Sequence, residues 1–127
     1  MQLLIDTHIF LWFVTDDPQL NFIHKEAMQD PTNLVFFSSV SACEIAIKYS
    51  IRKLSLPQHP SLYVPQLRKQ HQFLELPLEE ASSLMLSDLP LLHKDPFDRL
   101  LICQALCYGL TLITDDVLIL KYDVPTL

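Results

Sequence analysis

The chain has 127 residues, half of them hydrophobic and 19% charged, with a formal net charge of −6. That length fits one domain, residues 1–127, which can bury about two-thirds of its unfolded surface. The acidic balance argues against a protein that grips nucleic acid through an overall basic field, and a single glycine, Gly109, excludes GxGxxG and Walker loops, so no glycine-rich loop can cradle a phosphate.

QLLI (residues 2–5) reads as a buried strand that runs into Asp6 and Thr7. HIFLWFV follows as a helix over 8–14, apolar nearly all round and expected in the core. Asp16, Asp17 and Pro18 make a turn, and a helix over about 20–29 stops at Asp30 and Pro31. LVFFS (34–38) is a second strand. The helix after it spans 41–53, with Ser41 and Glu44 in the spacing of a capping box. A helix over 61–71 leads to a short strand, FLEL (73–76), and another helix covers 79–87. Asp95 and Pro96 then read as the N-cap and first residue of a helix over 96–108, with Asp98 in its first turn and His93 and Lys94 in a surface turn before it. Gly109 ends that helix in the left-handed conformation. LTLIT (110–114) is a fourth strand, followed by Asp115, Asp116 and a short helix over 116–121. VPTL adds an edge strand in which Pro125 lacks a donor.

Strands alternating with helices predict an α/β fold: a three-layer α/β/α sandwich around a central parallel sheet of four to five strands. The apolar content exceeds what one small core hides, so a partner or a self-interface is expected. Cys43, Cys103 and Cys107 lack CxxC spacing and read as core residues in a reducing cytosol. The five histidines show no zinc spacing. MQLLID has no basic segment and no apolar run is long enough for a membrane span, so a cytoplasmic protein is expected.

Each acid has an ordinary explanation taken alone. Asp6 or Thr7 can cap a helix, Glu44 can complete a capping box, Asp98 and Asp115 or Asp116 can favour helix dipoles. Their positions together point elsewhere. Asp6, Glu44, and Asp115 or Asp116 follow three of the strands, and Asp98 opens a helix that returns antiparallel to the sheet. All four places therefore lie on the edge where open α/β sheets bind ligands. Converging carboxylates repel unless a cation neutralises them, and an all-oxygen donor set selects a hard ion, Mg²⁺ or Mn²⁺. Such a site suits phosphodiester hydrolysis.

LLIDTHIFLW, SVSACEIAIKYSIRKL, LPLLHKDPFDRLLICQA and LTLITDD, in that order and over essentially the whole chain, resemble the PIN domain, specifically the VapC-type toxins of prokaryotic toxin–antitoxin pairs. The resemblance implies a Mg²⁺- or Mn²⁺-dependent endoribonuclease of RNA and a cognate antitoxin that blocks the site, and the apolar excess fits a homodimer. Carried over by position, the metal-holding acids fall on Asp6, Glu44, Asp98 and Asp116, with Thr114 as the hydroxyl of a T-x-D pattern that orients ligands. Asp115 takes the variable middle position and is the alternative to Asp116. Lys48, Arg52, Lys53 and Arg99 either line an RNA path or form a solvated helix face. The competing function is a non-catalytic PIN-like module that binds RNA or a partner. An aspartyl-phosphate phosphatase would need a second acid at position 8, where this chain has His8.

Overall fold

A computed structural model describes residues 1–127 and forms a parallel sheet of four strands, β1 (Gln2–Ile5), β2 (Leu34–Ser38), β3 (Leu74–Leu76) and β4 (Thr111–Ile113), in the order β3-β2-β1-β4. The registers pair Leu3 with Val35 and Thr111, and Phe37 with Glu75. The helices are α1 (Thr7–Val14), α2 (Phe22–Gln29), α3 (Ser39–Ser50), α4 (Pro60–Gln70), α5 (Glu80–Leu84) and α6 (Pro96–Tyr108), with 3-10 turns at Met85–Ser87 and Ile119–Lys121. The expected three-layer α/β/α sandwich is the fold found.

Alternation along the strands divides the core in two, because successive side chains leave opposite faces of a sheet. Leu3, Ile5, Val35, Phe37 and Ile113 pack with Ile9 and Phe10 of α1, Met28 of α2 and Val64 of α4. Leu4, Leu76 and Leu112 pack on the other face with Leu101, Ile102 and Ala105 of α6 and with Ile119, Tyr122 and Val124 near the C-terminus. Phe10 is fully buried, its ring 4.3 Å from that of Phe37, so α1 belongs to the core as its sequence predicts.

Several boundaries differ from the sequence reading. Ser38 caps α3 by accepting from the Val40 N–H (2.9 Å), so the helix starts before Ser41 and no capping box forms there. Ser41 is buried and its hydroxyl accepts from that of Thr7 (2.9 Å). The terminal edge strand reduces to one bridge, Thr126 beside Leu112. The final helix shrinks to the 3-10 turn at 119–121. Only Cys103 is buried, and Cys43 and Cys107 are exposed.

Four helices, α1, α3, α4 and α6, share one closure. Asp16, Arg52 and Gln72 have φ of 51°, 62° and 60°. The N–H groups of Asp17, Lys53 and Phe73 reach back to the carbonyls of Trp12, Lys48 and Arg68 at 2.8 to 2.9 Å. This is the six-residue Schellman closure. Gly109, φ 65°, ends α6 the same way, with the Leu110 N–H on the Ala105 carbonyl (2.9 Å). No helix is long and apolar enough to cross a membrane.

Candidate metal centre

β1 is central in the sheet, and its carboxyl end delivers Asp6 to the middle of the upper edge. Asp6 is the N-cap of α1: Oδ1 accepts from the Thr7 N–H (2.7 Å) and Oδ2 from the Thr114 hydroxyl (2.7 Å). Thr114 also accepts the Asp116 N–H (3.1 Å) through the same hydroxyl oxygen. One side chain at the end of β4 thus sets the orientation of one acid and the backbone of another.

Glu44 lies in the second turn of α3, almost completely buried, with Oε2 on the Lys48 ammonium (2.6 Å) one turn later. Its Oε1 is buried and has no hydrogen-bond partner. Asp95 caps α6, accepting from the N–H groups of Phe97 (2.8 Å) and Asp98 (3.3 Å). Pro96 fits the first helical position because it has no N–H to satisfy. Asp98 is then placed in the first turn, buried, with Oδ2 2.7 Å from His93 Nε2. Asp116 accepts the Leu118 N–H through Oδ1 (2.8 Å) and holds Oδ2 3.9 Å from the same imidazole.

Asp6, Glu44, Asp98 and Asp116 line one cavity of about 330 Å³, together with Asp95, His8, Lys48 and Lys53. The structure therefore brings together all four acids singled out in the sequence and puts Thr114 directly behind two of them. It also separates the two neighbours after β4, because Asp115 turns away to pair with His8 Nε2 (2.5 Å) while Asp116 lines the cavity. Of the four cations expected along an RNA path, Lys48 and Lys53 line the cavity. Arg52 closes α3, and Arg99 turns to the carbonyl of Leu89 (3.0 Å).

Two histidines escape the sequence reading. His93 is not part of a surface turn: its side chain is only 12% exposed and faces Asp98. No local signal marks it, since the contact depends on how the segment after α5 folds back over α6. His8 bridges Asp6 Oδ2 (3.2 Å) and Asp115. Burial works against its protonation, but hydrogen bonds and charge from Asp6 and Asp115 outweigh burial and raise its pKa to about 9. The spacing of His8 two residues after Asp6 is the one signal that could have flagged it.

Electrostatics mark the cavity as short of positive charge. His8 and Lys48 each compensate an acid, but Asp98 faces only His93, and its pKa rises to about 7 through burial first and then through the charges of Asp6, Asp95 and Glu44, opposed by the His93 hydrogen bond. Crowded carboxylates raise one another in this way when no cation sits among them. The partnerless Glu44 Oε1 and the carboxylate-only donor set fit a hard divalent ion. His93 Nε2 and oxygens of Asp98 and Asp116 also fall within 4.8 Å of one another, compact enough for an ion.

Comparison with known proteins places the fold. The VapBC2 complex from Rickettsia felis bound to a promoter DNA fragment matches with a TM-score of 0.75 at 13% identity, over 100% of this chain and 98% of that one. VapBC-1 from nontypeable Haemophilus influenzae matches with a TM-score of 0.67 at 17% identity, over 100% and 97%. FitAcB from Neisseria gonorrhoeae matches with a TM-score of 0.62 at 17% identity, over 98% and 95%. These likenesses are of fold. No curated protein is matched. The family model described as the PIN domain spans residues 3–124, which takes in every acid of the cavity, and the chain belongs to the PIN domain family.

Proposed function

We propose that the protein is a divalent-metal-dependent endoribonuclease that acts as the toxin of a toxin–antitoxin pair. The observation that carries this reading is the meeting of Asp6, Glu44, Asp98 and Asp116, from four separate parts of the chain, in one cavity where Glu44 Oε1 lacks any partner. PIN membership supports nuclease chemistry, and the VapBC and FitAcB structures of the same fold support the toxin setting.

In this reading the four acids hold Mg²⁺ or Mn²⁺, which supplies Lewis acidity toward phosphate oxygens when bound. The chain's own groups do the rest. Thr114 fixes the Asp6 carboxylate and the Asp116 backbone. Protonated His8 holds Asp6 from the side and keeps Asp115 out of the cavity. Lys48 and Lys53 offer positive charge at the rim to an RNA phosphate, which offsets the acidic total where the substrate lies. Each of the four acids is braced by a backbone amide or a side chain. A cognate antitoxin that occludes the cavity and a homodimer complete the proposal, and both account for exposed Leu91, Leu92, Val117 and Leu120 near the site.

The test is cleavage of a mixed RNA pool by antitoxin-free protein with Mg²⁺ or Mn²⁺ against EDTA, beside Asp98→Asn and Asp95→Asn. Metal-dependent cutting that is lost in Asp98→Asn and kept in Asp95→Asn is expected. Folded protein that binds RNA but cuts under no metal would favour the non-catalytic module.

A further inference from the structure

Two residues far apart in sequence make a line of contacts that ends on Asp98. The hydroxyl of Tyr122, a buried residue just after the last 3-10 turn, accepts the N–H groups of Leu92 (3.0 Å) and His93 (2.9 Å). It pins the segment between α5 and α6 at the residue whose ring meets Asp98. The Asp95 N–H points at His93 Nδ1 (3.4 Å), which makes Nδ1 an acceptor and leaves the ring proton on Nε2. Nε2–H then donates to Asp98 Oδ2 at 2.7 Å.

We infer that Tyr122 and His93 form a positioning relay that fixes the Asp98 carboxylate through Oδ2 and leaves Oδ1 for the cation. The inference rests on the metal-centre reading above and goes beyond it by assigning roles to two residues outside the acid set. The physical need is clear from the charges. Asp98 is crowded by Asp6, Asp95 and Glu44, and a carboxylate repelled on several sides turns away unless a donor holds one of its oxygens. Supporting hydrogen bonds of this kind orient metal ligands in general.

The competing role for His93 is that of a ligand, since its Nε2 lies with Asp98 and Asp116 in a compact set. Ligation needs a lone pair on Nε2 and therefore the proton on Nδ1, where it would face the Asp95 N–H, one donor against another. The relay satisfies that amide and ligation does not.

Calorimetric titration of Mn²⁺ alone into the full chain tests this, with wild type, His93→Ala, His93→Gln, Tyr122→Phe and the Tyr122→Phe/His93→Ala double variant. Pulsed EPR of the Mn²⁺-loaded wild type reports any directly coordinated nitrogen. His93→Ala is expected to weaken Mn²⁺ binding by about 10-fold or more, the range found for groups that support ligands. His93→Gln, which keeps an N–H donor at similar reach, restores most of the affinity. Tyr122→Phe weakens binding on its own and adds nothing to His93→Ala, and no nitrogen coupling is seen. Unchanged affinity in His93→Ala, equal loss in Ala and Gln with a nitrogen signal, or additive loss in the double variant would each overturn the relay. Failure of wild type to take up Mn²⁺ would sink the metal centre itself, and the relay with it.

Discussion

Asp98→Asn should make the metal-free protein more stable at pH 8, although it removes a residue of the proposed centre. The substitution keeps the side-chain shape and an oxygen that can accept from His93, and it removes one charge from the cluster. In the metal-free protein burial, then the charges of Asp6, Asp95 and Glu44, lift the Asp98 carboxyl from an ordinary 3.8 to about 7 against the His93 hydrogen bond. A rise of that size corresponds to a penalty of about 4 kcal/mol on the ionised form. The sign follows from proton counts. Below pH 3.8 the carboxyl is protonated in both folded and unfolded chains and there is no penalty. Between 3.8 and about 7 the folded chain keeps a proton that the unfolded chain releases, so stability falls as pH rises. Above that the penalty is complete, and asparagine escapes it. Loss of a favourable carboxylate at the start of α6 works the other way by about 0.5 kcal/mol, too little to reverse the result. A net gain of only 1 kcal/mol would raise Tm by about 4 °C in a chain of this size. Thermal denaturation in EDTA at pH 8 and pH 4 reads the effect: the variant should melt higher at pH 8, and the gap should close toward pH 4. Saturating Mn²⁺ at about 100 times its Kd should then stabilise wild type by about 2.7 kcal/mol and the variant far less. A variant that melts lower than wild type at pH 8 in EDTA, or a gap indifferent to pH, would refute the charge argument.

Three further outcomes are expected. Thr114→Val removes the hydroxyl shared by Asp6 and the Asp116 N–H and should slow RNA cleavage by about 10- to 100-fold while Thr114→Ser retains most of the rate; initial rates on labelled RNA decide it, and a fully active valine variant would remove Thr114 from the site. Lys53→Ala, made in the Asp98→Asn background and followed by fluorescence anisotropy, should reduce the slope of log K against log salt for single-stranded RNA by about 0.7, the loss of one phosphate contact. An unchanged slope would mean that RNA does not pass Lys53. Phe10→Ala, which empties the space between the rings of Phe37 and Phe73, should cost about 3–5 kcal/mol in urea denaturation, and a cost below about 1 kcal/mol would show that the site collapses around the gap.

What the sequence discloses here depends on how local the determining contact is. β1, β2 and α6 are legible because continuous apolar runs, the Asp95–Pro96 start and the Gly109 stop act within a few residues. The four acids are legible because the edge on which strands end follows from topology alone. Ser41 misleads because the S-x-x-E spacing is satisfied in sequence while Ser38, three residues earlier, takes the cap. Asp115 pairs with His8, more than a hundred residues away, while Asp116 lines the cavity, and no local pattern distinguishes the two neighbours. His93 is hidden for the same reason: its ring is aimed by the hydroxyl of Tyr122, 29 residues on, and no pattern around HKDPFD reports that contact.

The left-handed helix closures at Asp16, Arg52 and Gln72 bear on the unfolded chain as much as on the folded one. A side chain held at positive φ costs about 1 kcal/mol or more relative to glycine. Glycine in the same place would lose more backbone freedom on folding, a cost of about 0.5–1 kcal/mol. The two terms nearly cancel, so three abrupt helix stops come at little net cost without placing a freely rotating residue at any of them. With Gly109 the only glycine in the sequence, the unfolded ensemble is narrower than that of an ordinary chain of this length. The chain thus turns sharply from α1 toward α2 at Asp16, from α3 toward α4 at Arg52 and from α4 into β3 at Gln72, each time with a residue whose own side chain narrows the conformations open to it before folding.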